Sequence, residues 1–430
     1  MKQAVAAIIC LLSLFGFSGC STTGGVPSAR APAATILQQN NSMDAEQIRQ
    51  FQEDVAYFAS ELPKRHKNPF TKTTKEEFEE KIAALMEDVD HLNKAEASAR
   101  LCEIVASIGD AHTSVSIWDG RIYPLTFYLF GKDMYIVNSQ KGMENVLYAK
   151  VIAVNGMPIN KALLRMRSVV SYENESWLNY KLANILSLPI YLYGLGIVPD
   201  EASATFTLEK DGVRQDVTVS AQPTRGTQKD FCVETYDDIV LGHFSRDYAY
   251  EYLPDQKAVY FTYNKCYSSG AFRLFNKRMF EDIADKNVER IILDLRRNTG
   301  GDSEVLNPFT EKLKAYREAH PNVQVFILTG RLTFSSSIFA IYRTMEAVPD
   351  AMSIGEPTGV ALDHFGQVKS FQLPNSQIPI YYSTEYYEFS RVYSYRNKRT
   401  DTFIPDVLLP PTIEDYRVGN DAALNYALGY

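Results

Sequence analysis

The clearest pattern in the chain is Val323–Pro349, VQVFILTGRLTFSSSIFAIYRTMEAVP. Its apolar run, VFIL, has the length and branching of a buried strand. Thr329–Thr333 reads as a short polar turn. Ser335, Ser336 and Ser337 then head the amphipathic segment IFAIYRTMEAV. The pattern predicts a strand, a sharp turn, a serine and a helix. The serines fall where free backbone N–H groups point outward at a helix start. Unrelated hydrolases present a nucleophile in this way. The same residues also suit a plain helix N-cap.

Patterning divides the rest of the chain into three. Met43–Gly109 reads as helices. Asp44–Leu62 is ended by Pro63, Thr74 and Glu77 form a capping box opening a helix towards Leu92, and Leu101–Ile108 stops at Gly109. From Asp110 to Pro223 strands are predicted. Tyr123–Leu129 and Met134–Val137 are joined at Gly131-Lys132-Asp133, a strand turns at Asn155-Gly156, and Ala204–Leu208 and Val217–Val219 flank Lys210-Asp211-Gly212. Small β-domains that bind peptide ends expose a sheet edge or groove in this way. Lys257–Tyr430 alternates between strands (Ala258–Tyr263, Arg290–Leu295, Val323–Leu328) and helices (Phe272–Ile283, Ser303–Ala315, the serine helix). Strand-like pieces follow at Ser370–Leu373 and Ile378–Ser383. The alternation implies an α/β fold with at least partly parallel strands.

Composition narrows the setting. The 430 residues leave room for two or three domains, and 45% apolar with 22% charged residues is ordinary for a globular protein. A net charge of −8 and the lack of a dense Lys/Arg run argue against a nucleic-acid partner. Met1–Cys20 has one lysine, an apolar stretch too short to be a comfortable membrane span, and the ending Phe17-Ser-Gly-Cys20. That ending resembles a bacterial lipobox. It implies cleavage before Cys20, lipidation of its thiol and anchoring in the cell envelope. Ser21–Asn41 has the Ser/Thr/Gly/Pro/Ala content of a tether. Cys102, Cys232 and Cys266 are far apart and form no CxxC, so a cysteine zinc site is not expected.

Three further stretches carry chemistry. Arg297-Asn-Thr-Gly300-Gly301-Asp302 follows the strand RIILDL, and its glycine N–H groups suit a developing oxyanion as well as a tight turn. Gly109-Asp-Ala-His112-Thr-Ser114 holds a histidine, the natural base for a serine hydroxyl. His66, His91 and His320 read as incidental surface residues, and His243 has no supporting pattern. Gly355-Glu-Pro-Thr-Gly359, followed by Asp363-His364, reads as a loop beside the serine. Gly359 and His364 there are the residues expected to shape a substrate groove.

Together and in this order, GDAHT, VIAVNGMPI, LDLRRNTGG, LTFSSS and IGEPTG resemble the tail-specific, or C-terminal processing, family of serine proteases. The likeness is to its tricorn-like or retinoid-binding-protein-like branch and spans about Met43 to Pro411. The resemblance implies a crotonase-like (ClpP-like) β/β/α spiral core. It divides the chain into a lipoprotein signal peptide (1–20), a tether (21–42), an N-terminal helical region (43–110), a PDZ-like β-rich domain (111–225) and a catalytic domain (226–430). It implies Ser335 as nucleophile, His112 as general base and an oxyanion hole from Gly300, Gly301 and Ser336. Many members place a lysine base after GE-T-G. Here Gly355–His364 has none, and the first lysine beyond is Lys369. Asp401 is the expected orienting acid, with Glu385, Glu388 and Asp110 competing. Ile338 stands where many members have Glu. Ser336 and Ser337 compete for the nucleophile's place, since a helix turns roughly 100° per residue and only one can face a base. No metal or organic cofactor is implied. The expected activity is an envelope-anchored serine endopeptidase acting on a protein or peptide. Its rivals are an inactive peptide-binding protein on the same fold and a small ester or amide hydrolase.

Overall fold

The computed structural model describes residues 42–224, 246–267, 269–393 and 401–429. Cys20, the tether through residue 41, Cys232 and His243 lie outside the described residues.

The N-terminal region is helical, as its patterning predicts. Helices α1 (Ala45–Arg65), α2 (Lys75–Asp88) and α3 (Lys94–Ala106) each begin with a complete capping box, Asp44/Gln47, Thr74/Glu77 and Asn93/Glu96. Pro63 does not end α1 but lies inside its last turn, and the helix runs on to Arg65. Proline there removes one N–H close to the helix end, where the loss is small. Gly109 ends the region in a left-handed conformation, φ +73°. A Cβ built on it would lie 2.6 Å from Lys72 Cγ, so the position suits glycine in shape as well as in backbone.

Short strands β1 (Ser114–Val115) and β2 (Arg121–Ile122) lead into β3 (Leu125–Phe130), β4 (Asp133–Ser139), β5 (Lys150–Val154), β6 (Met157–Pro158), β7 (Ser203–Lys210), β8 (Val213–Ser220) and β9 (Gln222–Pro223). Strands β3-β4-β5-β7-β8 form one sheet in that order. Its expected turns are present: Asn155 and Gly156 have φ +46° and +75°, and Asp211 and Gly212 have +51° and +77°. The stretch is less purely β than its strand patterning suggests. It also contains α4 (Ile159–Arg167), α5 (Glu175–Ile185) and α6 (Pro189–Gly194). In α5, Trp177, Leu178, Leu182, Ala183 and Ile185 are buried, a helical spacing, and the Asn174 side chain caps the start by accepting from Trp177 N–H.

The C-terminal half is built on β10 (Tyr248–Leu253), β11 (Ala258–Tyr263), β12 (Arg290–Asp294), β13 (Gln324–Thr329), β14 (Met352–Gly355) and β17 (Val407–Leu408), in that order. Only β10 is antiparallel to its neighbour; the remaining pairs are parallel. Every residue of β11 is buried, as expected where both faces of a parallel sheet are covered. One face packs on α7 (Ser269–Ala284), α8 (Asn307–Ala319) and α9 (Ser337–Ala347), through residues such as Phe272, Phe309 and Ile338. The other packs on the C-terminal helix Ala422–Leu428.

Between β14 and β17 runs a long hairpin, β15 (Asp363–Gln372) and β16 (Pro379–Glu388), with β1 paired to β16. Its tip reaches the N-terminal core, where Phe371, Leu373, Ile380 and Tyr382 pack with α1–α3 and the β3–β8 sheet. The buried carboxylate of Asp54 on α1 accepts from Asn375 N–H and Ser376 N–H, which pins that tip. The hairpin thus crosses from one core to the other, past the segment that carries His112.

Candidate active site

The serine turn is built from backbone bonds. Phe334 N–H donates to Asn298 O at 2.9 Å, and Thr333 Oγ1 donates to Leu295 O at 2.9 Å, so the turn after β13 is stitched to the turn after β12. On its other side, Gly359 N–H donates to Thr333 O at 3.1 Å and Glu356 N–H to Thr329 O at 3.0 Å. Held between these, Ser335 takes φ +54°, a region that costs a non-glycine residue roughly 1–2 kcal/mol.

This geometry separates the three serines. Ser337 is fully buried and its hydroxyl donates to Phe334 O at 2.7 Å. Ser336 Oγ donates to Gly301 O at 2.9 Å. Ser336 is the helix N-cap residue, yet its side chain makes no capping hydrogen bond. Ser335 alone is half-buried with its hydroxyl uncommitted among the described residues.

The two glycines back the serine. A Cβ on Gly300 would sit 2.6 Å from Ser335 Cβ, and one on Gly301 would sit 2.6 Å from Cys266 O. Gly300 N–H was expected to face an oxyanion, but it is already engaged, donating to Asn298 Oδ1 at 2.8 Å. Asn298 is itself fixed, its Nδ2 donating to Tyr263 O at 2.8 Å. Gly301 N–H and Ser336 N–H donate to no acceptor among the described residues. The N–H of Ser335 itself likewise has no acceptor among the described residues, so three donors are free at the turn.

His112 lies next to the serine turn, its ring stacked on Phe334 with centroids 4.4 Å apart. Phe334 in turn stacks on Trp177 of α5 at 4.0 Å, and His364 of β15 stacks on the other side of His112 at 5.5 Å. Four rings therefore form a column, Trp177–Phe334–His112–His364, drawn from four separate parts of the chain. Lys181 caps it, its ammonium 5.6 Å from the Trp177 ring centre. Burial lowers that ammonium's pKa to about 8.

Both ring nitrogens of His112 are buried without a hydrogen-bond partner among the described residues. Burial, helped by the neighbouring His364, pushes its pKa down to about 3 against the pull of Asp110. His112 Nδ1 stands 3.9 Å from Asp110 Oδ1, outside hydrogen-bond reach.

Asp110 is the centre of the surrounding polar network. It accepts from His112 N–H (2.8 Å), Thr113 Oγ1 (2.6 Å), Ser383 Oγ (2.7 Å) and His66 Nε2 (3.0 Å). Asn68 N–H donates to His66 Nδ1, so the proton of a neutral His66 sits on Nε2 and points at Asp110. Burial raises the carboxyl's pKa, but His66, His112, Thr113 and Ser383 outweigh it and hold Asp110 at about 2.

Other expected residues are placed differently. Asp401 is exposed, and its backbone carbonyl receives Asn174 Nδ2 at 2.9 Å; no described contact joins it to His112. Glu385 and Glu388 are exposed and paired with Lys67 and Arg391. Of the four carboxylates considered, Asp110 is the one beside the imidazole. Gly359 and His364, expected to line a groove, are both buried. Gly359 is there for close packing, since a Cβ would meet Arg331 O at 2.2 Å. His364 packs in the ring column.

His66 is not an incidental surface residue. Its side chain is fully buried, because β16 folds over the end of α1. A histidine just past a helix end carries no local signal of a partner 44 positions away.

The fold of the chain is similar to that of several solved structures at low sequence identity. Mature CPAF superposes with a TM-score of 0.60 at 11% identity, covering 88% of this chain and 96% of that one. Mature CPAF complexed with lactacystin matches at 0.60, 11%, 88% and 97% in the same terms. The photosystem II D1 C-terminal processing protease matches with a TM-score of 0.39 at 13% identity, over 89% of this chain and 99% of that one. No protein-family model and no curated protein matches the chain. At these identities the likeness is one of fold.

Proposed function

We propose that the chain is a serine peptidase in which Ser335 forms the acyl-enzyme. The observation that carries this reading is the strained Ser335 elbow, flanked by two free N–H donors and by an imidazole stacked on the preceding residue. His112 acts as general base, Asp110 orients it once the ring closes the 3.9 Å gap between Nδ1 and Asp110 Oδ1, and Gly301 N–H and Ser336 N–H receive the oxyanion. Asp110 replaces Asp401 in the orienting role, on the strength of its position beside the ring.

The arrangement described is a resting one. A base with a pKa near 3 is a poor acceptor for a serine proton, and the best base titrates near the working pH. Two unpartnered buried nitrogens also carry a desolvation penalty. A small shift of the ring towards Asp110 and Ser335 relieves that penalty and raises its basicity.

The chemistry follows from these positions. Ser335 Oγ attacks the peptide carbonyl as His112 takes its proton. The imidazolium returns the proton to the leaving amine, and water then releases the acyl group with His112 again as base. The lipobox supports anchoring of the mature chain through Cys20 to an envelope membrane.

The deciding experiment is intact-mass labelling of the soluble form, from Ser21 onward, with a fluorophosphonate, followed by peptide mapping. The expected result is one adduct on Ser335, absent in Ser335→Ala and His112→Ala. No adduct in the presence of peptide substrates overturns the reading in favour of a binding protein. Anchoring is tested by lipid incorporation in cells, which Cys20→Ala abolishes.

A further inference from the structure

Lys181 caps the ring column and takes no part in the chemistry at Ser335. It is half-buried, and its one described contact is with the Trp177 ring. Every other half-buried lysine or arginine among the described residues has a polar partner, as Lys150 has in Asp133 and Arg331 in Glu356. A lysine drawn partly out of water is ordinarily paired, because its ammonium gives up hydration that only an acceptor or an anion restores. The chain has 52 acidic residues against 44 basic ones, so the free ammonium does not reflect a shortage of acids. Its lowered pKa agrees, since burial acts on it with no carboxylate to oppose the effect.

Its position gives the free charge a use. Trp177 and Lys181 are four residues apart on α5 and share a face of that helix. Phe334, the residue before Ser335, stacks on Trp177 with centroids 4.0 Å apart. Gly359 lies against the same indole, where an added Cβ would stand 3.1 Å from Cε3. The face of α5 that bears the ammonium therefore adjoins the serine turn.

We propose that Lys181 is a specificity-determining residue that pairs with an acidic side chain of the substrate, within a few residues of the scissile bond. The proposal rests on the peptidase reading and names a substrate class for that site: peptides with Asp or Glu close to the cleaved bond. The steps from the Phe334 ring to Trp177 and from Trp177 to the ammonium are 4.0 Å and 5.6 Å. An extended peptide advances about 3.3 Å per residue, so three or four residues cover that stretch. A carboxylate arriving there restores the partner that burial demands and makes a charge-assisted hydrogen bond. Gln or Asn at the same place brings no charge to the ammonium. A lysine kept only to cover the indole with its methylene stem would be replaceable by methionine.

The test presents the soluble chain with a set of peptides in which Glu or Gln occupies each position in turn, and reads the cleavage sites by mass spectrometry. In wild type, kcat/KM is expected to favour Glu over Gln by roughly fivefold at one position within four residues of the bond, the effect of a partly screened ion pair. The ratio is expected to fall to about one in Lys181→Met, to persist in Lys181→Arg, and to reverse in favour of Gln in Lys181→Glu. Each ratio is taken within one variant, so a general loss of rate or stability cancels. A wild-type ratio near one at every position, or a Glu preference that survives in Lys181→Met, overturns the proposal. A second readout needs no turnover. The 15N signal of Lys181 Nζ is expected to shift on titration with the Glu peptides and not with their Gln counterparts. The absence of that difference overturns the acid-binding role, whereas failure of Ser335 to react counts against the peptidase alone.

Discussion

Asp110 and Asp401 make competing demands at the scale of single residues. If Asp110 orients the base, Asp110→Asn slows the reaction of Ser335 by roughly 10²–10⁴-fold, because an amide cannot accept from all the donors gathered on Oδ2. Asp401→Asn leaves the rate nearly unchanged. Fluorophosphonate labelling rates separate the two. Gly300→Ala is the sharpest test of the elbow. Its new methyl would collide with Ser335 Cβ and its φ of +98° disfavours any side chain. The expected cost is about 1–3 kcal/mol in urea unfolding, with loss of Ser335 labelling. Ser335, His112 and the glycine pair were legible because each sits in a short local motif. The Asp110 network and His66 were hidden, because their meaning comes from contacts between distant segments. His66 meets Asp110 only after β16 closes over the end of α1.

Among elements, the loop Gly355–Gly359 depends on a contact from the other half of the molecule. Tyr128 on β3 donates to Glu356 Oε2 at 2.7 Å, and Glu356 pairs with Arg331 at 2.8 Å, just before the serine turn. Arg331 also lies over the Tyr128 ring at 4.5 Å. Tyr128→Phe keeps the ring and removes the bond to a buried carboxylate, at a cost of about 1–3 kcal/mol. Chemical denaturation measures that cost, and slower labelling of Ser335 shows whether the loop steadies the elbow. Hydrophobic period and turn residues revealed the strands, the hairpins and the serine helix. They did not reveal α5 within a stretch read as β, although its apolar spacing was helical. The strand signals on either side, from Tyr123 to Val154 and from Ala204 to Val219, dominated the reading.

For the whole molecule, the buried polar network ties stability to acidity. The folded state holds His112 neutral down to about pH 3, whereas an unfolded histidine takes a proton near 6.5. Between those values the unfolded chain binds more protons, so this residue makes stability fall as pH falls. The slope is at most about 1.4 kcal/mol per pH unit. Asp110, held at about 2, adds a second loss as pH drops from its unfolded value of 3.8. Urea titrations across pH 3–7 should show the decline, and His112→Asn should remove its upper part. The hairpin that spans both cores makes the network a joint property of the two halves, because Ser383 on β16 is one of Asp110's donors.

The ring column also gives the molecule an optical property. The chain has two tryptophans, Trp118 and Trp177. Trp118 is 38% exposed, so its emission follows the solvent, whereas Trp177 is buried and stacked on Phe334, next to the serine. In a Trp118→Phe background, the remaining blue-shifted fluorescence comes from an indole one ring away from His112. Any rearrangement of that imidazole on engagement with Ser335 passes through Phe334 to the fluorophore. The protein therefore carries its own spectroscopic reporter, and stopped-flow emission after mixing with peptide would time the ring movement apart from bond cleavage.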